Sequence, residues 1–158
     1  MTTDLCDQYA ELLQVAEPIG LKDYGGKKNF HGMIQTVKCY ENNPLVREAL
    51  SHDGKGKVLV IDGEGSLKCA LLGDMIGEMA LNNLWNGIIV FGCIRDSVAL
   101  SKLDIGIKAL NTIPLKSRKE NIGENNITVH FAGIDFHPGE YVYCDEDGIV
   151  VSKDLLTL

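Results

Sequence analysis

The sequence predicts an α/β fold with a parallel sheet at its centre, and three observations carry that prediction. Lys57-Val58-Leu59-Val60-Ile61 and Ile88-Ile89-Val90-Phe91 are short apolar runs of the kind that fill buried parallel strands. Between them, Met75, Ile76, Met79, Ala80 and Leu84 recur on one face of a helical period, so 74–85 reads as an amphipathic helix. Leu71-Leu72-Gly73-Asp74 reads as the strand-to-helix turn that leads into it. The block from 57 to 96 is therefore a β–loop–α–β unit.

The remaining elements follow in chain order. Residues 3–16 read as a helix, with Thr3 as cap and Leu5, Tyr9, Leu12, Leu13 and Ala16 on one face. Gly25-Gly26 marks a loop, and 32–40 has strand composition. Pro44 suits a first helical turn, and Leu45, Ala49 and Leu50 carry a short helix to about His52. Asp62-Gly63-Glu64-Gly65-Ser66 is a turn; it lacks both the Walker pattern and the GxGxxG spacing. The segment 104–110 is compatible with strand or helix. Residues 116–126 read as a polar surface loop, and Ile127–Phe131 as a strand. After the turn His137-Pro138-Gly139-Glu140, Tyr141–Cys144 and Gly148–Val151 form a hairpin across Asp145-Glu146-Asp147. That acidic turn lacks calcium-loop spacing.

With 158 residues, 45% apolar and 23% charged, the chain has the composition of one globular domain spanning 1–158. A net charge of −7 argues against direct nucleic-acid binding, which needs a basic face. The five cysteines (Cys6, Cys39, Cys69, Cys93 and Cys144) show neither zinc-ligand spacing nor a disulfide framework, and are expected to be reduced, mostly buried thiols. No signal-peptide pattern or 18-residue apolar run is present, so a cytoplasmic protein that does not span a membrane is expected.

Asp74 and the pair Arg95-Asp96 carry the chemistry. A helix of about twelve residues covers roughly 18 Å and a strand of about six returns roughly 20 Å, so the two legs nearly cancel. Asp74 and Arg95-Asp96 should then lie side by side at the carboxyl edge of the sheet, where ligands bind in open α/β folds. Asp74 taken alone is equally an N-cap residue, and Arg95-Asp96 alone an ordinary strand-end ion pair. A cation and two carboxylates around a helix N-terminus can instead bind a small anion together with a divalent metal. The four histidines are scattered and no Ser or Cys sits in a nucleophile elbow, so none is given a catalytic role. Trp85 and Met79 are expected in the core.

These residues also carry a resemblance. Gly25-Gly26, 54–63, Ala70-Leu-Leu-Gly-Asp-Met75, Gly92-Cys-Ile-Arg-Asp96, Asp104–Ile107 and 138–148 are similar to the family named for the regulator of ribonuclease E activity A. That family also contains the 4-hydroxy-4-methyl-2-oxoglutarate aldolases. The aldolase signature, an aspartate, twenty residues and Arg-Asp, matches Asp74, Arg95 and Asp96. The resemblance implies a layered β/β/α swivelling domain, related to phosphohistidine domains and assembled as a homotrimer. It implies a class II pyruvate aldolase acting on a small 2-oxo acid with a divalent cation, Mg2+ or Mn2+, and with oxaloacetate decarboxylase side activity. Carried over, the amides of Gly73, Asp74, Met75 and Ile76 hold the pyruvyl carboxylate, Arg95 reaches the keto oxygen and Asp96 anchors the metal. Asp74, through a water, is the expected proton donor. Larger aldolases of this group place a C-terminal glutamate in a neighbour's site. This sequence ends at Leu158, so a water on the metal is expected to take the substrate hydroxyl proton. The alternative implied by the family is a protein-binding inhibitor of ribonuclease E.

Overall fold

A computed structural model describes all 158 residues. The chain runs α1 (Thr2–Tyr9), a 3-10 turn (Ala10–Leu12), β1 (Leu13–Val15), β2 (Lys22–Asp23), β3 (Phe30–Lys38), α2 (Pro44–Leu50), β4 (Lys57–Asp62) and β5 (Ala70–Leu72). It continues through α3 (Asp74–Asn82), β6 (Gly87–Ile94), α4 (Ser97–Leu100), β7 (Gly106–Thr112), β8 (Glu124–Asn125), β9 (Val129–Phe131), β10 (Ile134–Phe136), β11 (Tyr141–Asp145) and β12 (Gly148–Ser152).

Ten strands form one sheet in the order β1-β12-β11-β3-β4-β6-β7-β2, with β5 also on β6 and β8 also on β3. Strands β3, β4, β6 and β7 are mutually parallel, as the expected βαβ unit requires. Both faces of this centre are covered, which explains its continuous apolar runs. Leu59, Ile61, Ile88 and Val90 pack on one side with Val46 and Leu50 of α2, Ile76 and Ala80 of α3, and Leu100 of α4. Val58, Val60 and Ile89 pack on the other with Val129, Phe131, Ile134 and Phe136 of the β9–β10 hairpin. Hairpin, sheet and helices are thus three layers, the β/β/α arrangement expected.

Phe30 shows how tightly the hairpin side is closed. Gly87 and Gly106 are register partners on β6 and β7, and a methyl group on either would stand 2.2 Å or 2.1 Å from the Phe30 ring. Gly87→Ala is therefore expected to lower stability by about 1–3 kcal/mol, read as a lower denaturant midpoint at unchanged slope.

The N-terminal segment is anchored by Asp145, which accepts the Thr2 hydroxyl at 2.6 Å, the Thr2 amide at 2.7 Å and the Asp147 amide at 3.0 Å. Burial by itself raises this carboxyl, but those donors and the Met1 ammonium outweigh burial and hold it at about 2. A carboxyl held below its ordinary 3.8 contributes stability that is complete above that value and lost as pH falls toward 2. Asp145→Asn is expected to flatten this part of the acid-denaturation profile in melts recorded from pH 5 to pH 2.

Several elements differ from the sequence-based expectations. The 3–16 helix stops at Tyr9; after the 3-10 turn, Leu13–Val15 pairs with Ser152–Val150 and covers a sheet edge. Thr3 is not its cap, since the helix starts at Thr2 after Met1. Of segment 104–110, the part from Gly106 onward is strand β7, because β6 offers it a parallel partner. The 74–85 helix ends at Asn82. Leu84, expected on the buried face, takes φ +70° and is exposed. That turn puts Trp85 into the core instead, where its indole N–H donates to the His52 carbonyl at 3.0 Å. Ile127–Phe131 shortens to β9 and is joined by β10, which the sequence reading did not contain.

Candidate active site

Strand register decides where the signature residues meet. Strand β5 takes over from β4 beside the far end of β6, pairing in parallel so that Leu72 stands opposite Ile94. The two strands end together, and the Arg95 amide donates to the Leu72 carbonyl at 2.9 Å. Gly73-Asp74 and Arg95-Asp96 are consequently side by side at the carboxyl edge of the sheet. Gly73 is extended (φ −135°, ψ −170°), and any residue could adopt that backbone. What it lacks is space: a Cβ there would lie 2.8 Å from Asp96 Oδ2 and 3.4 Å from Arg95 Cγ.

The N-terminus of α3 faces this junction. Its first intrahelical bond runs from the Gly77 amide to the Gly73 carbonyl at 2.9 Å, so the N–H groups of Asp74, Met75 and Ile76 precede the ladder. The Asp74 amide donates to Asp96 Oδ2 at 3.1 Å, and the Met75 amide to Asp74 Oδ1 at 2.8 Å. Two of the amides expected to hold a ligand carboxylate are thus held by the site's own carboxylates. Asp74 is the first helical residue rather than the N-cap, which is Gly73. Asp96 sits in the left-handed region (φ 59°, ψ 41°), which Asp and Asn tolerate better than most residues, and its carbonyl accepts the Leu100 amide at 2.9 Å to start α4.

A cleft of about 580 Å³ opens here, and all six expected site residues (Gly73, Asp74, Met75, Ile76, Arg95 and Asp96) line it. Arg95 forms no ion pair with a carboxylate, which removes the strand-end salt-bridge reading; its Nη1 donates to the Pro114 carbonyl at 3.5 Å. The carboxylates of Asp74 and Asp96 are the only acidic groups on the cleft wall, and no third His, Cys, Asp or Glu completes a metal-holding cluster. One or two hard oxygen donors, with water filling the remaining positions, is the set that suits Mg2+ and Mn2+ rather than a caged zinc or calcium ion.

Sequence reasoning missed the opposite contributors. Asn43, Arg47, Lys116, Ser117 and Lys119 also line the cleft, although 116–126 reads as plain surface loop. The available signal was the basic run 116–119 shortly after β7, whose parallel alignment with β6 brings both carboxyl ends to one edge. The cysteines are all free and none lines this cleft. Burial first, then the nearby Asp62, pushes the Cys39 thiol to about 12, far from nucleophile range.

A family model described as RraA-like, Aldolase/RraA, matches residues 2–151. A relative from Alkalilimnicola ehrlichii is 53% identical over 155 residues, covering 98% of this chain and 96% of its own length. One from Pseudomonas aeruginosa PAO1 is 52% identical over 158 residues, covering 100% and 97%. Both carry the name "Putative 4-hydroxy-4-methyl-2-oxoglutarate aldolase". Among solved structures, a Geobacillus kaustophilus protein named S-adenosylmethionine:2-dimethylmenaquinone methyltransferase superposes with TM-score 0.97 at 46% identity, covering 99% of this chain and 96% of that one. The RNA-processing inhibitor RraA from Thermus thermophilis superposes with TM-score 0.95 at 37% identity, covering 99% and 94%. Whole-length similarity at half identity, on a shared fold, is enough to assign membership: this chain belongs to the RraA-like Aldolase/RraA family.

Proposed function

We propose that the protein is a divalent-metal-dependent lyase that cleaves 4-hydroxy-4-methyl-2-oxoglutarate to two molecules of pyruvate and decarboxylates oxaloacetate at the same site. The observation that carries this reading is the junction of the α3 N-terminus with Arg95 and Asp96, where Asp96 Oδ2 and the Asp74 amide are 3.1 Å apart. Breaking a carbon–carbon bond next to a ketone leaves an enolate, so the site must stabilise negative charge at the former keto oxygen. A divalent cation held by Asp96, with Asp74 beside it, would supply Lewis-acid stabilisation of that charge. Arg95 supplies the rest: its guanidinium presents donors toward the keto oxygen from a strand end, a rigid mount. The α3 amides take the 2-oxo acid's carboxylate, which requires the Asp74 side chain to release the Met75 amide. In the aldol cleavage a water takes the substrate hydroxyl's proton as the carbon–carbon bond breaks, and Asp74, once turned aside, is placed to return a proton, through a water, to the enolate carbon.

A pyruvate-coupled assay in magnesium or manganese tests the reading directly. Metal-dependent pyruvate release is the expected result, and turnover that survives complete chelation would overturn it.

A second reading, regulation of ribonuclease E through protein binding, is supported by the similarity to the Thermus RNA-processing inhibitor. The net charge of −7 would favour a basic partner segment. Failure to retain the ribonuclease at physiological salt in a pull-down removes it. Homotrimeric assembly is proposed as well: β2 pairs only with Lys108 and Ala109 of β7, leaving Leu110–Thr112 as an open edge. Light scattering should give three times the 17.3 kDa chain mass.

A further inference from the structure

A second cavity is built around a buried charge that the chemistry above does not use. Ile107 and Ala109 of β7 pack toward the helices, so the alternation of the strand turns Lys108 to the opposite face. Lys108 is only 2% exposed. Its Nζ lies 3.1 Å from Asp23 Oδ1, yet that oxygen accepts no hydrogen bond, so the contact is an ion pair without an aligned N–H. A buried ammonium needs an opposite charge and also acceptors for its three N–H groups. Asp23 meets only the first need.

Space for the missing acceptors is present. Lys108 lines a cavity of about 280 Å³ between the β1–β2 connection and the β11–β12 turn, and this cavity shares no residue with the α3 cleft. Ile19, Leu21 and Ile149 give it an apolar wall. Glu17, Glu146 and Asp147 line it as well, and all three are exposed, so they stand at its mouth while Lys108 lies at its depth. None of the three forms an ion pair. Their own segments, 1–21 and 120–152, contain no Lys or Arg at all. Free positive charge inside therefore faces free negative charge at the mouth.

We infer that this cavity binds a small α-amino acid with an apolar side chain. Its carboxylate accepts from Lys108, its ammonium turns to Glu146 and Asp147, and its side chain lies on Ile19 and Leu21. A simple anion would satisfy Lys108 but would meet like charge at the mouth. A simple amine would satisfy the mouth and leave the buried ammonium without acceptors. A zwitterion answers both, and charge-assisted bonds in a partly enclosed site are the strong ones. The site is independent of the α3 junction and of any reaction there.

Amide chemical-shift titration of the full chain tests this with three probes of one shape. These are L-valine, isobutylamine, which is valine without its carboxylate, and 3-methylbutanoate, which is valine without its ammonium. L-Valine is expected to shift the amides of Leu21 and Gly148 saturably, and each of the other two to bind at least about tenfold more weakly, the value of one charge-assisted contact. Lys108→Met should abolish valine binding. Because that change strips Asp23 of its cation, the exposed pair Glu146→Gln with Asp147→Asn gives the same test without touching the core; it should weaken valine about tenfold. No saturable shift with valine would overturn the inference. So would equal or tighter binding of either other probe, or unchanged valine affinity in the Glu146→Gln, Asp147→Asn variant.

Discussion

Asp96→Asn is expected to lower kcat/KM for metal-dependent pyruvate release by about a thousandfold or more, with stability changed by less than about 0.5 kcal/mol. Asparagine is the informative replacement. Position 96 lies in the left-handed region, which Asn tolerates, and the amide oxygen can still accept the Asp74 N–H. The cap on α3 therefore survives while the negative charge is lost. Alanine would remove the charge, the cap and the backbone preference at once, and would confuse chemistry with folding. Metal titration by calorimetry, steady-state kinetics and thermal melts on the same preparation separate these effects. Normal turnover in the Asn variant would mean that Asp96 is only a capping side chain.

Gly73→Ala is expected to cut turnover about a hundredfold and leave the melting temperature nearly unchanged. The added methyl would stand 2.8 Å from Asp96 Oδ2, the free end of an exposed side chain, which can swing away. Doing so breaks its bond to the Asp74 amide, a loss of about 1 kcal/mol. The extended backbone at position 73 accepts alanine without strain, and the smaller freedom of the unfolded chain returns about 0.4–1 kcal/mol. The stability terms nearly cancel. The geometry does not: a carboxylate displaced by about 1 Å from its working position is worth about a factor of a hundred. Kinetics beside a denaturant titration measure both quantities. Equal losses of activity and stability would show that Gly73 is a packing residue.

The site's location was legible because it depends on short-range information. The glycine before a helix start, the apolar run of β6 and the Arg-Asp pair after it are all readable within a window of some twenty residues. The expected helix was longer than the observed Asp74–Asn82 and the expected strand shorter than Gly87–Ile94, yet the meeting point was right. Its cause is the parallel register of Leu72 with Ile94, which ends β5 and β6 at one edge whatever the lengths of the elements between them. The basic residues across the cleft were not legible in the same way. Lys116 and Lys119 stand more than forty residues from Asp74, and long-range backbone ties bring them to it, from the Ala70 amide to the Leu115 carbonyl, the Ile113 amide to the Ile94 carbonyl and the Arg118 amide to the Glu41 carbonyl.

The amino-acid sequence by itself determined the α/β class, the buried parallel strands β4 and β6, the amphipathic helix between them and the strand-to-helix turn that carries the site. Those features follow from apolar runs and helical periodicity, which reflect burial on both faces of a sheet or on one face of a helix. Tertiary structure decided the rest. Leu13–Val15 has a helical pattern but becomes an edge strand because β12 offers unpaired backbone groups, and the locally ambiguous 104–110 becomes β7 from Gly106 onward, beside β6. The β9–β10 hairpin exists because Phe131 and Phe136 complete an aromatic stack with Phe91. A strand of three residues has too little intrinsic preference to declare itself; its free energy comes from a partner distant in sequence.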